Sequence, residues 1–252
     1  MNKQSQILAE LIDKSQFIVF FGGAGVSTAS GIPDFRSATG LYNRENKTNY
    51  SPETMLSYPF MLSHPEEFYT YKRENLHYPD AKPNLAHLAL ARLEAQRPET
   101  TIITQNIDNL QQEAGSTAVI EVHGNLFRLV CTSCGKKIKV DRKPFVSSLK
   151  AKLAAIREFT LPALLELAPR CGSCGSLMRP DVVMFGEAVQ ELPHAFSAAR
   201  GCEVLLVLGT SGVVYPAAEI PFETKKRFSD IIVINPNENA FSDITDVYIP
   251  LK

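Results

Sequence analysis

The chain has 252 residues and is 44% apolar, enough for a buried core in one or two domains, which excludes a disordered tail protein. Its 26 basic and 27 acidic residues leave a formal charge of −1, which excludes a broad nucleic-acid or membrane footprint. No apolar run approaches the ~18 residues of a membrane span, and the N-terminus reads as an amphipathic stretch rather than a signal peptide.

Apolar residues at helical spacing over 6–12 (Ile7, Leu8, Leu11, Ile12) predict a helix. Phe17–Phe21 then reads as a buried strand that ends at Gly22-Gly23-Ala24-Gly25. Segment 37–80 carries two helical stretches and no strand pattern. Helical patterns follow over 83–96, 190–200 and 215–228. Strand runs recur at Thr101–Thr104, Val119–Val122, Val182–Phe185, Val204–Leu208 and Ile231–Ile234, with a strand-like Val247–Ile249 near the end. Strands alternating with helices predict an α/β fold, a parallel sheet covered on both faces. Segment 127–181 breaks the alternation and begins and ends with paired cysteines. The expected organisation is a larger Rossmann-like domain, 1–126 and 182–252 with a helical insertion at about 37–80, and a small inserted module, 127–181.

A strand followed by Gly23-Ala24-Gly25 and a helix start near Ser27 is the setting of a phosphate-binding turn, where backbone N–H groups attract anions. The dinucleotide fingerprint is half met, because Thr28 stands at its third glycine. Glu45, 20 residues beyond Gly25, has no second strand before it, so a ribose-binding acid there is not expected and an ordinary dehydrogenase is disfavoured. Alone, the motif reads as a plain glycine turn.

The five cysteines divide as four and one. Cys131/Cys134 and Cys171/Cys174 each form Cys-x-x-Cys-Gly, a knuckle that turns two thiolates toward one ion. Four thiolates satisfy zinc completely, so the predicted ion is a single structural one, and the 36 intervening residues ask for an inserted arm. Redox pairs are the alternative, disfavoured by the bracketing of one module. Cys202, beside the apolar run Val204–Leu208, reads as a buried small hydrophobe. His123 follows a strand at its carboxyl end, where open sheets place ligands, and imidazole suits general-base work. His64, His77, His87 and His194 read as structural.

From Gly23 to Arg36 the sequence, with Ser27-Thr28-Ala29-Ser30-Gly31-Ile32-Pro33-Asp34-Phe35-Arg36, closely resembles the sirtuins of bacterial type, the NAD-dependent protein-lysine deacylases. Thr104-Gln105-Asn106-Ile107-Asp108, His123-Gly124, Phe185-Gly186-Glu187, Gly209-Thr210-Ser211 and Asn235 match later motifs of that family in order, over nearly the whole chain. The resemblance implies that Gly23, Ala24, Gly25, Ile32, Asp34, Phe35, Arg36, Gln105, Asn106, Ile107, Asp108, Gly209, Thr210, Ser211 and Asn235 contact NAD. Ala24, Ile32, Phe35, Asn106 and Asp108 would line the nicotinamide pocket, Gln105 the nicotinamide ribose, and Ser211 and Asn235 the adenosine half. It makes His123 the catalytic base with Asn106 and Asp108 beside it: the acyl oxygen attacks the ribose as nicotinamide leaves, and His123 takes a ribose hydroxyl proton, yielding O-acyl-ADP-ribose.

The resemblance further implies that an acyl-lysine peptide is held as an added strand by Val182, Val183, Met184 and Phe185 and by Gly212, Val213 and Val214. Ala38, Tyr69 and Lys72 fall where the desuccinylating branch carries acyl-specificity residues, with lysine in place of its arginine. Tyr69 and Lys72, at i and i+3, share a helix face with Arg73 close by; a charged solvated face is the equal alternative. Gly22 replaces a usual Thr, Gln111 a usual His and Gly212 a usual Leu. The expected protein is a cytoplasmic monomer that acts on acyl-lysine proteins or peptides, without specific nucleic acid or membrane partners. The other readings held open are a protein mono-ADP-ribosyltransferase on the same NAD site and a non-enzymatic zinc module.

Overall fold

The computed structural model describes residues 3–43, 49–76, 78–156 and 160–251; Glu45 and His77 lie outside them. In chain order, α1 (Lys3–Lys14) leads to β1 (Ile18–Gly22), a 3-10 segment over Ala24–Ser30, and the short helices α2 (Pro52–Met55), α3 (Tyr58–Ser63) and α4 (Pro65–Asn75). Then come α5 (Leu85–Gln96), β2 (Thr100–Thr104), α6 (Leu110–Glu113), β3 (Val119–Glu121), β4 (Gly124–Cys131), β5 (Lys137–Lys139), α7 (Arg142–Ala154) and α8 (Leu161–Leu167). β6 (Met178–Val182), α9 (Leu192–Gly201), β7 (Val204–Leu208), α10 (Ile220–Lys225), β8 (Asp230–Ile234) and β9 (Val247–Ile249) complete the order. Among the described residues no helix is long and apolar enough to cross a membrane.

The chain divides into two compact units. The first is built from Met1–Asp34, Lys82–His123 and Val189–Lys252. Its six-stranded sheet runs β3-β2-β1-β7-β8-β9, with every neighbouring pair parallel. Counted within the sheet, that order is 3-2-1-4-5-6, the doubly wound order of Rossmann folds, so the α/β expectation holds. Alternate side chains of the buried strands go to opposite faces. Val19, Phe21, Leu205, Val207, Ile231 and Val233 pack with Ala195, Ala199 and Ile220 of α9 and α10. Ile18, Phe20, Ile102, Val204, Leu206 and Ile232 pack with Leu8, Leu11, Leu90 and Leu93 of α1 and α5. Cys202 joins the first cluster and donates its thiol to Ala199 O at 3.2 Å, as a buried small hydrophobe does.

The second unit is Phe35–Ala81 with Gly124–Ala188. The helical segment expected as an insertion of the larger domain therefore groups with the cysteine-bearing segment, and the division falls between Asp34 and Phe35. α2 and α3 start on Ser51 and Ser57, whose side chains accept Thr54 N–H and Phe60 N–H, each followed by proline in the first turn. Together with α4, these helices bury Met55, Phe60, Phe68 and Tyr71 against Met184. A three-stranded antiparallel sheet, β5-β4-β6, buries Leu129, Cys131, Cys171 and Met178 under Val140 and Phe145. The strand expected at Val182–Phe185 is displaced: β6 ends at Val182, and only Phe185 makes an isolated bridge, to Ser57.

Candidate active site

In a doubly wound sheet the ligand crevice opens at the carboxyl edge where the strand order reverses, here between β1 and β7. The glycine turn stands at that point. Gly23 N–H donates to Leu208 O (3.0 Å) and Gly25 N–H to Gly209 O (2.8 Å). A Cβ on Gly25 would lie 2.7 Å from Gly209 Cα, and one on Gly23 2.7 Å from Thr210 Cβ. The glycines thus let two backbone turns touch, and both of these N–H groups are occupied within the protein. Gly23 and Gly25 are thus required by the backbone packing of Gly209–Thr210. The helix expected from Ser27 is instead a 3-10 segment beginning at Ala24. Gly25→Ala should lower stability by about 1–3 kcal/mol through overpacking; a thermal melt matching the parent would refute the contact.

The same unit gathers Asn106, Asp108 and Ser27, a serine of the glycine motif. Asn106 Nδ2 donates to Gly23 O (3.0 Å) and to Ser27 Oγ (3.1 Å). Ser27, fully buried, donates to Asp108 Oδ2 at 2.6 Å. Asp108 Oδ1 accepts Leu110 N–H at 2.9 Å, a turn that an Asp makes with the backbone two residues on, just before α6. His87 was expected to be structural, and its Nδ1 does accept Asn84 N–H at 3.3 Å in a capping box. Its Nε2 also lies 3.5 Å from Ser27 Oγ, so it borders this knot. The signal for both lay in the pattern: a serine inside the glycine motif and a buried histidine at the third position of a capped helix. Gln111, where the family usually has histidine, is buried and donates to His87 O (3.2 Å) and Ser116 Oγ (2.7 Å).

His123 lies in the turn after β3, and its Nδ1 is 3.0 Å from Gln105 O. A carbonyl only accepts, so Nδ1 carries the hydrogen and neutral His123 presents a bare Nε2. Burial pushes its pKa below the usual 6.5, against a weaker upward pull from that bond. Gln105 Nε2 donates to Thr210 Oγ1 (3.0 Å), which also accepts Gly212 N–H (3.3 Å), tying β2 to the turn after β7. Gly212, where the family usually has leucine, has φ +73° and faces the Phe241 ring, 2.5 Å from an added Cβ. Phe241 is fully buried and occupies the space above it. Ala24, Ile32, Asp34 and Ile107 are partly buried in this unit, as are Ser211 and Asn235. Asn235 Nδ2 donates to Asn237 O at 2.7 Å at the carboxyl end of β8.

The remaining expected residues belong to the second unit. Phe35 packs its ring 6.2 Å from Tyr42. The Arg36 guanidinium lies 5.0 Å above the Tyr42 ring and 3.5 Å from Glu53. Ala38 sits in an exposed turn, while Tyr69 and Lys72 are partly buried on α4. Burial raises the Tyr69 pKa. Burial, and then the charge of Arg179, bring Lys72 down to about 8, with its amine 5.9 Å above the Phe68 ring. Met184 N–H and C=O are bonded to Glu187, and Phe185 N–H and C=O to Leu56 and Tyr58. Of the expected Val182–Phe185 stretch, the backbone of Val183 is therefore the part left without a hydrogen bond among the described residues. In the first unit Val214 O accepts Ala218 N–H, and Val213 is 46% exposed.

All four paired cysteines bring their Sγ atoms within 4.8 Å of one another. Cys131 and Cys174 are 3.5 Å apart, Cys134 and Cys171 3.7 Å. Zn–S bonds of about 2.3 Å at tetrahedral angles place sulfurs about 3.8 Å apart, so the set fits zinc. Gly135 and Gly175, at φ +70° and +72°, close the two knuckles with N–H bonds to Cys131 O and Cys171 O.

A family model described as the Sir2 family matches residues 23–216. An "NAD-dependent protein deacylase" of Desulfosudis oleivorans is 46% identical, over 92% of this chain and 85% of its own. An "NAD-dependent protein deacetylase" of Clostridium acetobutylicum is 41% identical, over 96% and 91%. Among solved structures, one described as "Sir2-p53 peptide-NAD+" superposes with a TM-score of 0.77 at 38% identity, covering 99% of this chain and 93% of the other. Another, "Sir2Tm bound to a propionylated peptide", gives 0.76 at 36% identity, covering 99% and 93%.

Proposed function

The chain belongs to the Sir2 family, and from that premise we propose how its residues divide the work of NAD-dependent removal of acyl groups from protein lysines. The observation that carries the reading is His123: Nδ1 fixed on Gln105 O, Nε2 bare, and burial keeping the ring neutral at neutral pH. NAD, when bound, supplies the cleavable bond to nicotinamide and the ribose hydroxyl that receives the acyl group. The polar groups at the carboxyl edge of the sheet suit it: Gln105, Ser211 and Asn235 would hold its sugars, with Gly23, Ala24, Gly25, Ile32, Asp34, Ile107, Gly209 and Thr210 around it. Phe35 and Arg36 would add a ring and a cation. Asn106 and Asp108, immobilised through Ser27, would fix the nicotinamide end without rearranging during the reaction, the condition under which prepositioned dipoles lower a barrier. His123 Nε2 then accepts the hydroxyl proton. Zinc on the four cysteines is structural, since no coordination position remains for substrate.

The substrate peptide would pair as an added strand with the backbone of Val183. We read the protein as a cytoplasmic monomer without nucleic-acid or membrane partners. The deciding experiment incubates the zinc-loaded protein with NAD and acetyl-lysine peptide. Nicotinamide release that depends on the acyl group supports the reading. Label passing from NAD onto protein instead would make the chain a mono-ADP-ribosyltransferase.

Two further results are expected. The rate should rise with pH through a value below 6.5 and stay level above it, because His123 must be neutral to accept a proton; a limb centred above 6.5 would point to another base. Tyr69 and Lys72, with Ala38, would select the acyl group. Lys72 is a cation below about 8, so any preference for succinyl over acetyl peptides should fall as pH rises through that value. Lys72→Ala should cut desuccinylation about tenfold relative to deacetylation, the worth of one charge-assisted hydrogen bond. Equal losses on both peptides would remove the carboxylate role.

A further inference from the structure

The formal charge of −1 averages over a strongly basic stretch. Between Cys131 and Ile156 stand seven lysines and arginines against one acid, Asp141. In the second unit that stretch contains β5, an edge strand with all three residues exposed. β5 runs antiparallel to β4 with Ile138 opposite Leu129. Cys131 N–H donates to Lys136 O (2.9 Å) and Val140 N–H to Phe127 O (3.0 Å). Backbone groups alternate sides along an antiparallel strand. Residues 136, 138 and 140 therefore face β4, and the N–H and C=O of Lys137 and Lys139 point to the open side, where no strand pairs among the described residues.

The side chains give that edge a definite chemistry. Lys139 stands directly opposite Arg128, a like-charge pair that is unfavourable across strands. Asp181 binds Arg128 (2.6 Å) and Lys137 (2.9 Å) with the same oxygen. Burial would raise that carboxyl, but the two cations hold it below its usual pKa. One carboxylate against three cations leaves this face of the sheet positive. On the opposite face Ile138 neighbours buried Leu129 yet remains 38% exposed, because its outer side is uncovered.

Lysines on an edge strand repel a second copy of the same strand, which keeps the edge from self-pairing. They favour a strand of opposite charge. We propose that the open edge of β5 is a docking site for an extended acidic segment of a protein partner, added as a fourth strand to this three-stranded sheet. Acidic residues would stand opposite Lys137 and Lys139, and an apolar residue between them would cover Ile138, a pattern of acidic, apolar, acidic. The site is independent of the NAD chemistry.

The test uses the full zinc-loaded chain and a short synthetic peptide alternating glutamate and valine. Binding should slow amide exchange at Lys137 and Lys139 about tenfold or more and change Ile138, already bonded to β4, far less. Lys139→Glu should weaken binding about tenfold, one cross-strand charge pair replaced by repulsion, and added salt should weaken binding to the parent protein. Turnover of a free acyl-lysine peptide should stay at the parent level in that variant. Unprotected amides at 137 and 139 in the parent protein overturn the proposal, as does binding indifferent to Lys139→Glu. A DNA duplex that binds more tightly than the peptide and protects the same amides would make the edge a nucleic-acid surface instead.

Discussion

Replacing His123 by alanine should lower deacylated-peptide formation by about 10²–10⁴-fold, the usual contribution of a positioned general base. The folded state should barely notice. The described bond of His123 is the one from Nδ1 to Gln105 O, and losing a single such bond costs about 1 kcal/mol. Zinc content should not change, since the four thiolates are elsewhere in the chain. The informative companion is His123→Asn. Its amide N–H can replace Nδ1–H on the Gln105 carbonyl, but it offers no basic nitrogen. If His123 acts as the base, asparagine fails as badly as alanine. If the histidine only holds Gln105, and through it Thr210 at 3.0 Å, asparagine restores most of the rate. An asparagine variant with near-parent turnover would falsify the base assignment.

The parts of this molecule that a single sequence discloses are those written as local patterns. Ile18–Phe21, Val204–Leu208 and Ile231–Ile234 are apolar throughout because strands buried on both faces leave no polar alternation, so the parallel sheet is visible before any contact is known. Likewise Cys-x-x-Cys-Gly fixes a knuckle within five residues, and His123 is marked by its place after a strand. Contacts between distant segments leave no such trace. The need for glycine at 25 comes from Gly209, and the buried hub at Ser27 joins residues 79 and 81 positions away with a side chain that is common everywhere.

Unit boundaries were hidden for a related reason. Residues 35–81 look like an insertion along the chain, but their apolar side chains, Met55, Phe60 and Phe68, complete a cluster with Met184. Val182–Phe185 misleads through composition: four apolar residues suggest a continued strand, whereas Glu187 and Leu56 capture the backbone just past Val182. The net charge misleads by averaging, since the basic stretch after Cys131 is balanced by acids elsewhere in the chain.

Cys171→Ser should release the zinc and unfold the small antiparallel sheet, a larger structural effect than any other single substitution considered. Cys131 and Cys171 are each 3% exposed and are themselves half of the four-residue buried cluster, with Leu129 and Met178. A core of that size cannot hold three short strands, and small domains of this kind depend on a metal or disulfides. Zinc on four thiolates supplies an apparent ~10–16 kcal/mol to such folds, so its loss exceeds what the remaining packing offsets. Serine keeps the volume but is a poor zinc ligand beside thiolate, and three sulfurs leave the tetrahedron open. The expected signature is metal content falling from one ion to none, with amide protection lost across β4 and β6 while β1, β7 and β8 keep theirs. A strong chelator should reproduce it in the parent protein. Cys202→Ser is the control: that thiol contacts Ala199 O and stands apart from the four-sulfur cluster, so zinc should remain bound. A Cys171→Ser protein that retains one zinc and melts with the parent would show that the four sulfurs are not the site.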